Sequence, residues 1–292
     1  MNWAARMADS HNVHVLLNRR SVSMQNVAHH FVDWSSEDEV TALMRHIRPD
    51  YLVNTIASTD VDNCEIDRKS AIGANILVAS KIARITNNVG TKLIHISTDQ
   101  LFQGRKTTFS EADAPDPMNF YGLTKQIGED EVAKGNPGSL IVRTNFFGWG
   151  PCYRPSFSDW IISNVTSKKI TYLRKDIYFT PIYIGDLVDI LDKLDSCNAC
   201  GVYNLVGNTK ISKYEFGRVL CEALGYDCDL IQPKIELESQ KTSSSVARRP
   251  VNMALSNAKL GQMICTSALT LTKMLHKMRK EKGYLQDRFM MR

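Results

Sequence analysis

The sequence has no run of 18 apolar residues, and its N-terminus has no apolar stretch of the kind found in secretory signals. A membrane-spanning helix needs about 20 consecutive apolar residues, so the first absence argues against a membrane span. The second absence argues against export. We therefore expect a cytoplasmic protein without membrane contact.

The seven cysteines show no spacing typical of a disulfide framework. Cys197 and Cys200 form a C-x-x-C pair, whereas a structural zinc site usually takes four ligands from two such pairs. We therefore expect reduced thiols and no metal site. Metal binding or redox chemistry at this pair is the alternative interpretation.

Charge is only weakly unbalanced, with a formal net charge of +5, 23% charged residues and 43% apolar residues. This excess suits an anionic small molecule, but it is too small and too scattered to indicate nucleic acid as a partner. Residues 273–292 carry seven Lys or Arg against two acidic residues, which we interpret as a solvated helix and a tail.

Short apolar runs alternate with segments of helical periodicity. The runs are Val13–Leu17, Tyr51–Ala57, Lys92–Ser97 and Ser139–Thr144. Ser36 and Glu39 form a predicted capping box, and residues 68–87 form a long predicted helix. This alternation predicts a doubly wound, Rossmann-like α/β fold whose parallel sheet binds ligands at the carboxyl ends of its strands.

Tyr121 and Lys125 are four residues apart at the start of a predicted helix, so their side chains lie on one face. The same spacing occurs by chance in many helices. The pair alone therefore does not distinguish a catalytic site from two neighbouring surface side chains.

Four longer motifs occur in order along the chain. They are LIHISTDQLFQG, TTFSEADAPDPMNFYGLTKQIGE, LIVRTNFFG and ARRPVNMALSNAKL. Together they resemble the extended short-chain dehydrogenase/reductases, and most closely the dTDP-4-dehydrorhamnose reductase family. The resemblance covers nearly the whole chain and implies an NAD(P)-dependent oxidoreductase.

The resemblance implies reduction of a nucleotide-linked 4-keto-6-deoxy sugar in glycan precursor synthesis. Tyr121 matches the proton donor, Lys125 the residue that lowers its pKa and holds the nicotinamide ribose, and Thr98 the hydroxyl that binds the substrate oxygen. A free phenol titrates near ~10. A neighbouring ammonium favours the phenolate, so we expect a lowered pKa for Tyr121. The alternative is that Thr98 caps a turn and Tyr121 only packs.

The substrate side is expected to include Asp99, Gln100, Asn145 and Phe146. Related dehydratases have a glutamate base at the position of Gln100, and an amide cannot take a proton at neutral pH, which argues against dehydration. Rhamnose-type reductases usually have tyrosine there, and Phe146 replaces a usual tryptophan. These two departures leave the exact sugar open.

Glycine is absent before Gly73. The family begins with a strand and a glycine-rich turn, which lets a pyrophosphate approach a helix N-terminus. We therefore expect the first strand and the phosphate loop to be missing from this chain. Our hypothesis is that the natural chain starts upstream of Met1.

Arg19 and Arg20 follow the second strand of the family pattern, where an acid favours NAD and an arginine accommodates the 2′-phosphate of NADP. Two arginines without an acid favour NADP over NAD, and two surface arginines are the alternative. The other implied cofactor contacts are Asp33 and Trp34 at the adenine edge, Ala57 and Ser58 beside the pyrophosphate, and Tyr121 and Lys125 at the ribose.

After Thr144 the alternation of strands and helices stops, and an aromatic, turn-rich segment follows. Further along, Ser212 and Glu215 predict a second capping box at the start of a helix that ends at Gly225. We therefore expect a smaller C-terminal substrate lobe. The predicted divisions are a dinucleotide-binding domain of residues 1–146 with 178–206 returning to it, a lobe of residues 147–177 and 207–285, and a tail of residues 286–292.

Three functions remain open at this point. The first is the reductase, which would bind a nucleotide sugar and is expected as a possible homodimer. The second is a non-catalytic NADP-binding regulatory subunit, because the β subunit of methionine adenosyltransferase resembles the same family. The third is an inactive fragment without a phosphate loop.

Overall fold

The structure is a computed structural model that describes residues 1–18, 24–34, 36–151, 153–235 and 247–283. The helices are α1 (Asn2–Met7), α2 (Glu37–Ile47), α3 (Val61–Ile66), α4 (Arg68–Ile72), α5 (Val78–Val89), α6 (Phe120–Gly135), α7 (Phe157–Thr166), α8 (Ile184–Ser196), α9 (Lys213–Leu224), α10 (Ala258–Gly261) and α11 (Leu271–Lys280). The strands are β1 (Val13–Leu17), β2 (Val27–Phe31), β3 (Tyr51–Asn54), β4 (Lys92–Ile96), β5 (Leu140–Arg143), β6 (Phe146–Phe147), β7 (Thr171–Arg174), β8 (Tyr178–Phe179), β9 (Ile182–Tyr183), β10 (Gly201–Asn204), β11 (Ile211–Ser212) and β12 (Ile231–Lys234). A π-helical turn, Gly73–Leu77, joins α4 to α5, and a 3₁₀ turn, Cys228–Leu230, precedes β12.

Four parallel strands form the central sheet in the order β10-β5-β4-β3. On one face, Leu93 and Ile141 pack against the apolar sides of α5 and α6. On the other face, Ile94 and Val142 pack against α8. Apolar cover on both faces explains the nearly continuous apolar runs of these strands and confirms the predicted doubly wound fold.

Strands β1 and β2 form a second, separate parallel sheet. Val13 and Val15 of β1 pack against α1, and Leu16 packs against α2. In the part of the chain that the structure describes, no strand pairing joins β1 to β3. The strands that precede β5 therefore lie in two separate parallel sheets, with a break between β1 and β3.

Helix starts largely follow the predicted caps. The Ser212 side chain accepts from the backbone of Glu215 and the Glu215 carboxylate accepts from Ser212, which confirms that capping box, and Gly225 ends the helix at φ 77°. Ser36 also caps its helix, but Glu39 accepts from the backbone N–H of Asp33 instead. The first predicted box is therefore only half formed.

The long helix predicted over residues 68–87 is helical throughout, but a π-helical turn interrupts it. Asn75 of this turn is fully buried, and its side chain binds both backbone groups of Ser58 and the hydroxyl of Thr124. A Cβ on Gly128 of α6 would lie 2.3 Å from the Asn75 carbonyl oxygen, so only glycine allows this approach. The turn thereby joins the loop after β3 to α6.

The C-terminal part of the chain shares one core with the central sheet. Phe216 of α9 lies 5.2 Å from Phe147, 5.9 Å from Phe157 and 5.4 Å from Phe179 between ring centres. This aromatic cluster continues into the apolar layer under α8. Strand β10 returns to the main sheet, whereas β8 pairs with β11. The domain boundaries stay a prediction, and the proposed tail lies outside the described residues.

Over the residues with a described structure, the helices are all too short or too polar to span a bilayer.

Candidate active site

The carboxyl ends of β4 and β5 meet the first turn of α6. Thr98 and Asp99 follow β4, and the side chain of Asn119 caps α6 by accepting from Gly122 at 2.8 Å. A Cβ on Gly122 would lie 2.3 Å from the carbonyl oxygen of Gln100. This close approach brings Tyr121 next to Thr98.

Tyr121 is 7% exposed. Burial raises the pKa of Tyr121 to about 12, and the neighbouring Thr98 hydroxyl, which can donate to the phenolate, opposes this rise only in part. The structure therefore corrects the expectation of a lowered pKa. Lys125 is not among the main influences on the pKa of Tyr121, and the phenol keeps its proton at neutral pH.

Lys125 is 1% exposed and points along α6 toward the sheet. Its ammonium donates to the carbonyl oxygen of Ile96 at 2.8 Å and lies 3.4 Å from Nε2 of His95. Burial lowers the pKa of Lys125 to about 8, and the carboxylate of Glu129 opposes this shift. Lys125 is thus one helical turn from Tyr121 in α6, but its hydrogen bond goes to the Ile96 carbonyl oxygen of β4.

His95 and Asn54 are buried polar residues at the ends of β4 and β3 that the sequence analysis missed. The Oδ1 atom of Asn54 accepts from the backbone N–H of Ile56, which directs its Nδ2 to Nδ1 of His95 at 3.0 Å. A neutral imidazole accepting there carries its proton on Nε2, facing Lys125. Burial, and then the charge of Lys125, lower the pKa of His95 well below its usual range.

Asp99 is 2% exposed and accepts from Nδ2 of Asn145 at 2.6 Å and from the Thr98 hydroxyl at 3.4 Å. Burial raises the pKa of Asp99 to about 6, while the ammonium of Lys213 opposes the rise. Asn145 follows β5, so this contact joins the ends of two adjacent strands.

Lys213, the first residue of α9, is a third residue that the sequence analysis missed. Its ammonium lies 3.5 Å from the ring centre of Phe179 and 4.8 Å from that of Phe157. Burial lowers the pKa of Lys213 to about 8, and Asp99 opposes the shift. The only sequence signal was its place directly after the cap residue Ser212.

Gln100 and Phe146 lie on the open side of the same region. The backbone N–H of Gln100 donates to the Thr98 hydroxyl at 3.2 Å, and its side-chain oxygen accepts from Asn119 at 3.4 Å. Gln100 therefore holds the start of α6 in place. Phe146 is 51% exposed and presents an open apolar wall.

The remaining predicted cofactor residues are only partly located. Ser58 is held by Asn75, and the neighbouring Thr59 accepts a hydrogen bond from Arg154. The backbone oxygen of Trp34 accepts from Lys81 at 3.0 Å. Ala57 and Ser58 lie after β3, and Asp33 and Trp34 lie just before α2. Arg19 and Arg20 lie outside the described residues.

Comparison with known proteins gives a family-level match to the RmlD substrate binding domain over residues 10–282. The chain belongs to this family. A probable low-salt glycan biosynthesis reductase, Agl14 of Haloferax volcanii, is 27% identical over 237 residues, covering 80% of this chain and 79% of the relative. The dTDP-4-dehydrorhamnose reductase of Escherichia coli K12 is 29% identical over 237 residues, covering 79% of each chain.

A relative with a different name is also similar to this chain. The β subunit of methionine adenosyltransferase 2 from Xenopus laevis is 23% identical over 245 residues, covering 78% of this chain and 69% of the relative.

The crystal structure of dTDP-4-dehydrorhamnose reductase from Bacillus anthracis in complex with NADP has a TM-score of 0.79 at 22% identity, covering 93% of this chain and 100% of that chain. The expected family and fold are confirmed, and the named family members include reductases.

Proposed function

We propose that this protein reduces a nucleotide-linked 4-keto-6-deoxy sugar with NADPH as a step in glycan precursor synthesis. The observation that carries the proposal is the burial of the Tyr121 phenol and the Thr98 hydroxyl at the junction of β4 and the start of α6, with Lys125 one helical turn further along α6. Two hydroxyls at the carboxyl end of a parallel sheet can bind one carbonyl oxygen between them.

Tyr121 is the proposed proton donor. Its raised pKa means that the phenol is protonated at neutral pH, which suits donation to the strongly basic oxygen that forms when a ketone accepts a hydride. Thr98 is proposed to hold that oxygen. This role needs a protonated tyrosine in the resting enzyme, so it does not depend on the lowered pKa expected from the sequence.

The residues around Lys125 fit the nicotinamide end of NADP. Lys125 and Tyr121 line one side, and the hydroxyl of Ser97, 6% exposed, has no hydrogen-bond partner among the described groups. When bound, the cofactor supplies the hydride. Residues Asp33, Trp34, Ala57 and Ser58 are proposed to hold the rest of it. In the stretches described up to β3, no glycine is present to form a pyrophosphate turn.

The substrate-facing groups argue for reduction rather than dehydration. Asp99 and Asn145 are proposed to bind sugar hydroxyls, and Phe146 supplies an apolar wall. Gln100 has no ionisable group and is engaged with Asn119. An amide there cannot abstract the proton that dehydration requires.

The test is NADPH oxidation, followed by absorbance, in the presence of a dTDP-linked 4-keto-6-deoxy sugar. Tyr121→Phe should lower turnover by roughly 10²–10⁴-fold, because it removes only the acidic hydroxyl. Tyr172→Phe, 62% exposed on β7, is the matched control and should keep the wild-type rate. A Tyr121→Phe protein as fast as wild type would contradict the proposal.

The second candidate is an NADP-binding regulatory subunit without catalysis, which the similarity to methionine adenosyltransferase 2 subunit beta favours. It predicts a stoichiometric protein partner and no ketone-dependent NADPH oxidation. Pull-down from the source cells, together with the absorbance assay, separates the two candidates. Cytoplasmic location and a homodimer stay predictions under both.

A further inference from the structure

Three buried polar side chains form a row that runs from β3 through β4 to α6. Asn54, His95 and Lys125 are 2%, 0% and 1% exposed. Asn54 and His95 are partners in the pairing of β3 with β4, and Lys125 reaches the imidazole from α6. Buried polar groups need hydrogen-bond partners, so each contact in the row has a donor and an acceptor side that can be assigned.

The backbone fixes the direction of the first contact. The N–H of Ile56 donates to Oδ1 of Asn54 at 3.0 Å, so the amide group cannot turn over without losing this bond. Nδ2 of Asn54 then donates to Nδ1 of His95 at 3.0 Å. Because burial lowers the pKa of His95 well below its usual range, the ring is neutral and carries its single proton on Nε2.

The second contact brings two donors together. Nε2 of His95 lies 3.4 Å from Nζ of Lys125. An ammonium has three N–H donors and no acceptor, so it forms no hydrogen bond with an imidazole N–H. The carbonyl oxygen of Ile96, which accepts from Lys125 at 2.8 Å, is therefore the acceptor that β4 offers to this lysine.

The carboxylate one helical turn further along α6 is engaged elsewhere. Glu129 accepts from Nε of Arg143 at 3.1 Å and from Nη2 at 2.7 Å. Its charge favours the ammonium form of Lys125, but the two side chains form no hydrogen bond. Among the residues that the structure describes, the ammonium thus has one acceptor and keeps two N–H groups for other partners.

We propose that Asn54 and His95 are positioning residues for Lys125. Asn54 fixes the imidazole tautomer, and the Nε2–H of His95 prevents the ammonium from forming a second bond to the sheet. Two N–H groups of Lys125 are thereby kept for the two hydroxyl groups of the nicotinamide ribose. This inference rests on the proposed reductase function, in which Lys125 lines the nicotinamide end of NADP.

The other tautomer of His95 would have the opposite effect. With the proton on Nδ1, the lone pair of Nε2 would accept from Lys125. The ammonium would then be held on β4 by His95 and by the Ile96 carbonyl oxygen together, and one N–H would remain for a ligand. The choice between the tautomers therefore decides how many hydrogen bonds Lys125 can give to a ribose.

Asn54→Asp tests the direction of the row with little change in shape. A carboxylate keeps the bond from Ile56 but has no hydrogen to donate, so Nδ1 of His95 must become the donor. In protein with ¹⁵N-labelled histidine rings, the His95 signals are assigned by their loss in His95→Gln. They should show a protonated Nε2 in wild type and a protonated Nδ1 in Asn54→Asp. A wild-type ring with its proton on Nδ1 would overturn the inference.

Affinity for two ligands shows whether the tautomer acts on Lys125. NADPH and adenosine 2′,5′-bisphosphate, which lacks the nicotinamide ribose, are titrated by protein fluorescence. In Asn54→Asp the ammonium can donate to His95, so the Kd of NADPH should rise at least about tenfold, as expected for a lost hydrogen bond to a charged group. The Kd of the bisphosphate should be unchanged. Equal weakening of both ligands, or an unchanged Kd of NADPH, would overturn the positioning role.

Asn136→Asp is the matched control for both measurements. Asn136 is also buried, at 6% exposure, and its Nδ2 donates to the hydroxyl of Thr86. It follows the last residue of α6, about 16 Å along the helix from Lys125. The variant adds the same buried charge at a distance, so the His95 ring signals and both Kd values should match wild type.

The two measurements separate failure of this inference from failure of the proposed function. The tautomer is observed without cofactor or substrate, so a wrong tautomer would overturn the positioning role even in an active reductase. A wild-type protein that does not bind NADPH would overturn the proposed function and the role of Lys125 at the ribose together, whatever the ring signals show.

Discussion

At the end of β4, Thr98 and Asp99 are 5% and 2% exposed, whereas every residue of β1 is partly exposed. The first region lies between two helices and an adjacent strand, and its polar groups bind one another. The second region is a two-stranded sheet with one pairing partner per strand. The side chains at the proposed catalytic end are therefore more buried and more hydrogen-bonded than those of the region expected to hold the adenine end of the cofactor.

This difference separates two requirements of a dinucleotide enzyme. Proton and hydride transfer need groups held within fractions of an ångström, which burial and shared hydrogen bonds provide. Binding the rest of the cofactor needs surface and charge, and its loss would lower affinity without changing the geometry at Tyr121. The two regions should therefore respond differently to similar substitutions.

Apolar truncations in the two sheets should show the contrast most strongly. Leu93→Ala in β4 removes a side chain that is fully buried between the sheet and α5, so it should lower the free energy of unfolding by about 2–5 kcal/mol. Val15→Ala in β1 should cost about 1 kcal/mol or less, because Val15 already contacts solvent. Urea denaturation of both variants measures the difference, and equal costs would remove the basis of the comparison.

A single methyl group at the start of α6 should disable the site. Gly122→Ala places a Cβ against the Gln100 carbonyl oxygen, which moves Tyr121 away from Thr98. Turnover in the NADPH assay should fall roughly 100-fold, as expected for a misplacement of about 1 Å. Gly73→Ala has no atom within 4 Å of its added Cβ and serves as the control. Wild-type turnover in Gly122→Ala would show that the spacing of α6 from this loop is not critical.

The pH dependence of stability should report the burial of Lys125. Its folded-state pKa of about 8 lies below that of a free lysine, so the unfolded chain binds more protons between these two values. The free energy of unfolding should therefore rise with pH across that window because of Lys125. The free energy of unfolding of Lys125→Met should rise less steeply with pH than that of wild type. Lys134 is 74% exposed, so Lys134→Met should show the same pH dependence as wild type. Parallel curves for Lys125→Met and wild type would contradict the assignment.

The helix caps should give the smallest contrast. Ser212→Ala removes a complete capping box and should cost about 1–2 kcal/mol, and Ser36→Ala removes a half-formed one and should cost about 0.5–1 kcal/mol. Thermal denaturation of the two variants shows which substitution lowers the stability of the protein more. A larger cost for Ser36→Ala would mean that α2 depends more on its cap than its contacts indicate.

Sequence reasoning predicted the parallel sheet, the helix carrying Tyr121 and Lys125, and the position of Thr98, because apolar periodicity and motif order are local properties. It could not predict the π-helical turn at Asn75, which depends on the close approach of Gly128 from another helix. It missed His95 and Lys213 for the same reason, since their partners are distant in sequence. The pKa of Tyr121 was wrongly expected to fall, because the spacing of Tyr121 and Lys125 does not show how deeply the phenol is buried or where the ammonium points.

The central claim is hydride transfer to a sugar ketone beside Tyr121, and isotope transfer tests it most directly. The protein is incubated with NADPH deuterated at the transferable position and a dTDP-linked 4-keto-6-deoxy sugar, and the product is analysed by mass spectrometry. The account predicts one deuterium on the former carbonyl carbon, with this product strongly reduced in Tyr121→Phe. Deuterium that remains entirely in the nicotinamide while the wild-type protein binds NADPH and the sugar would contradict it.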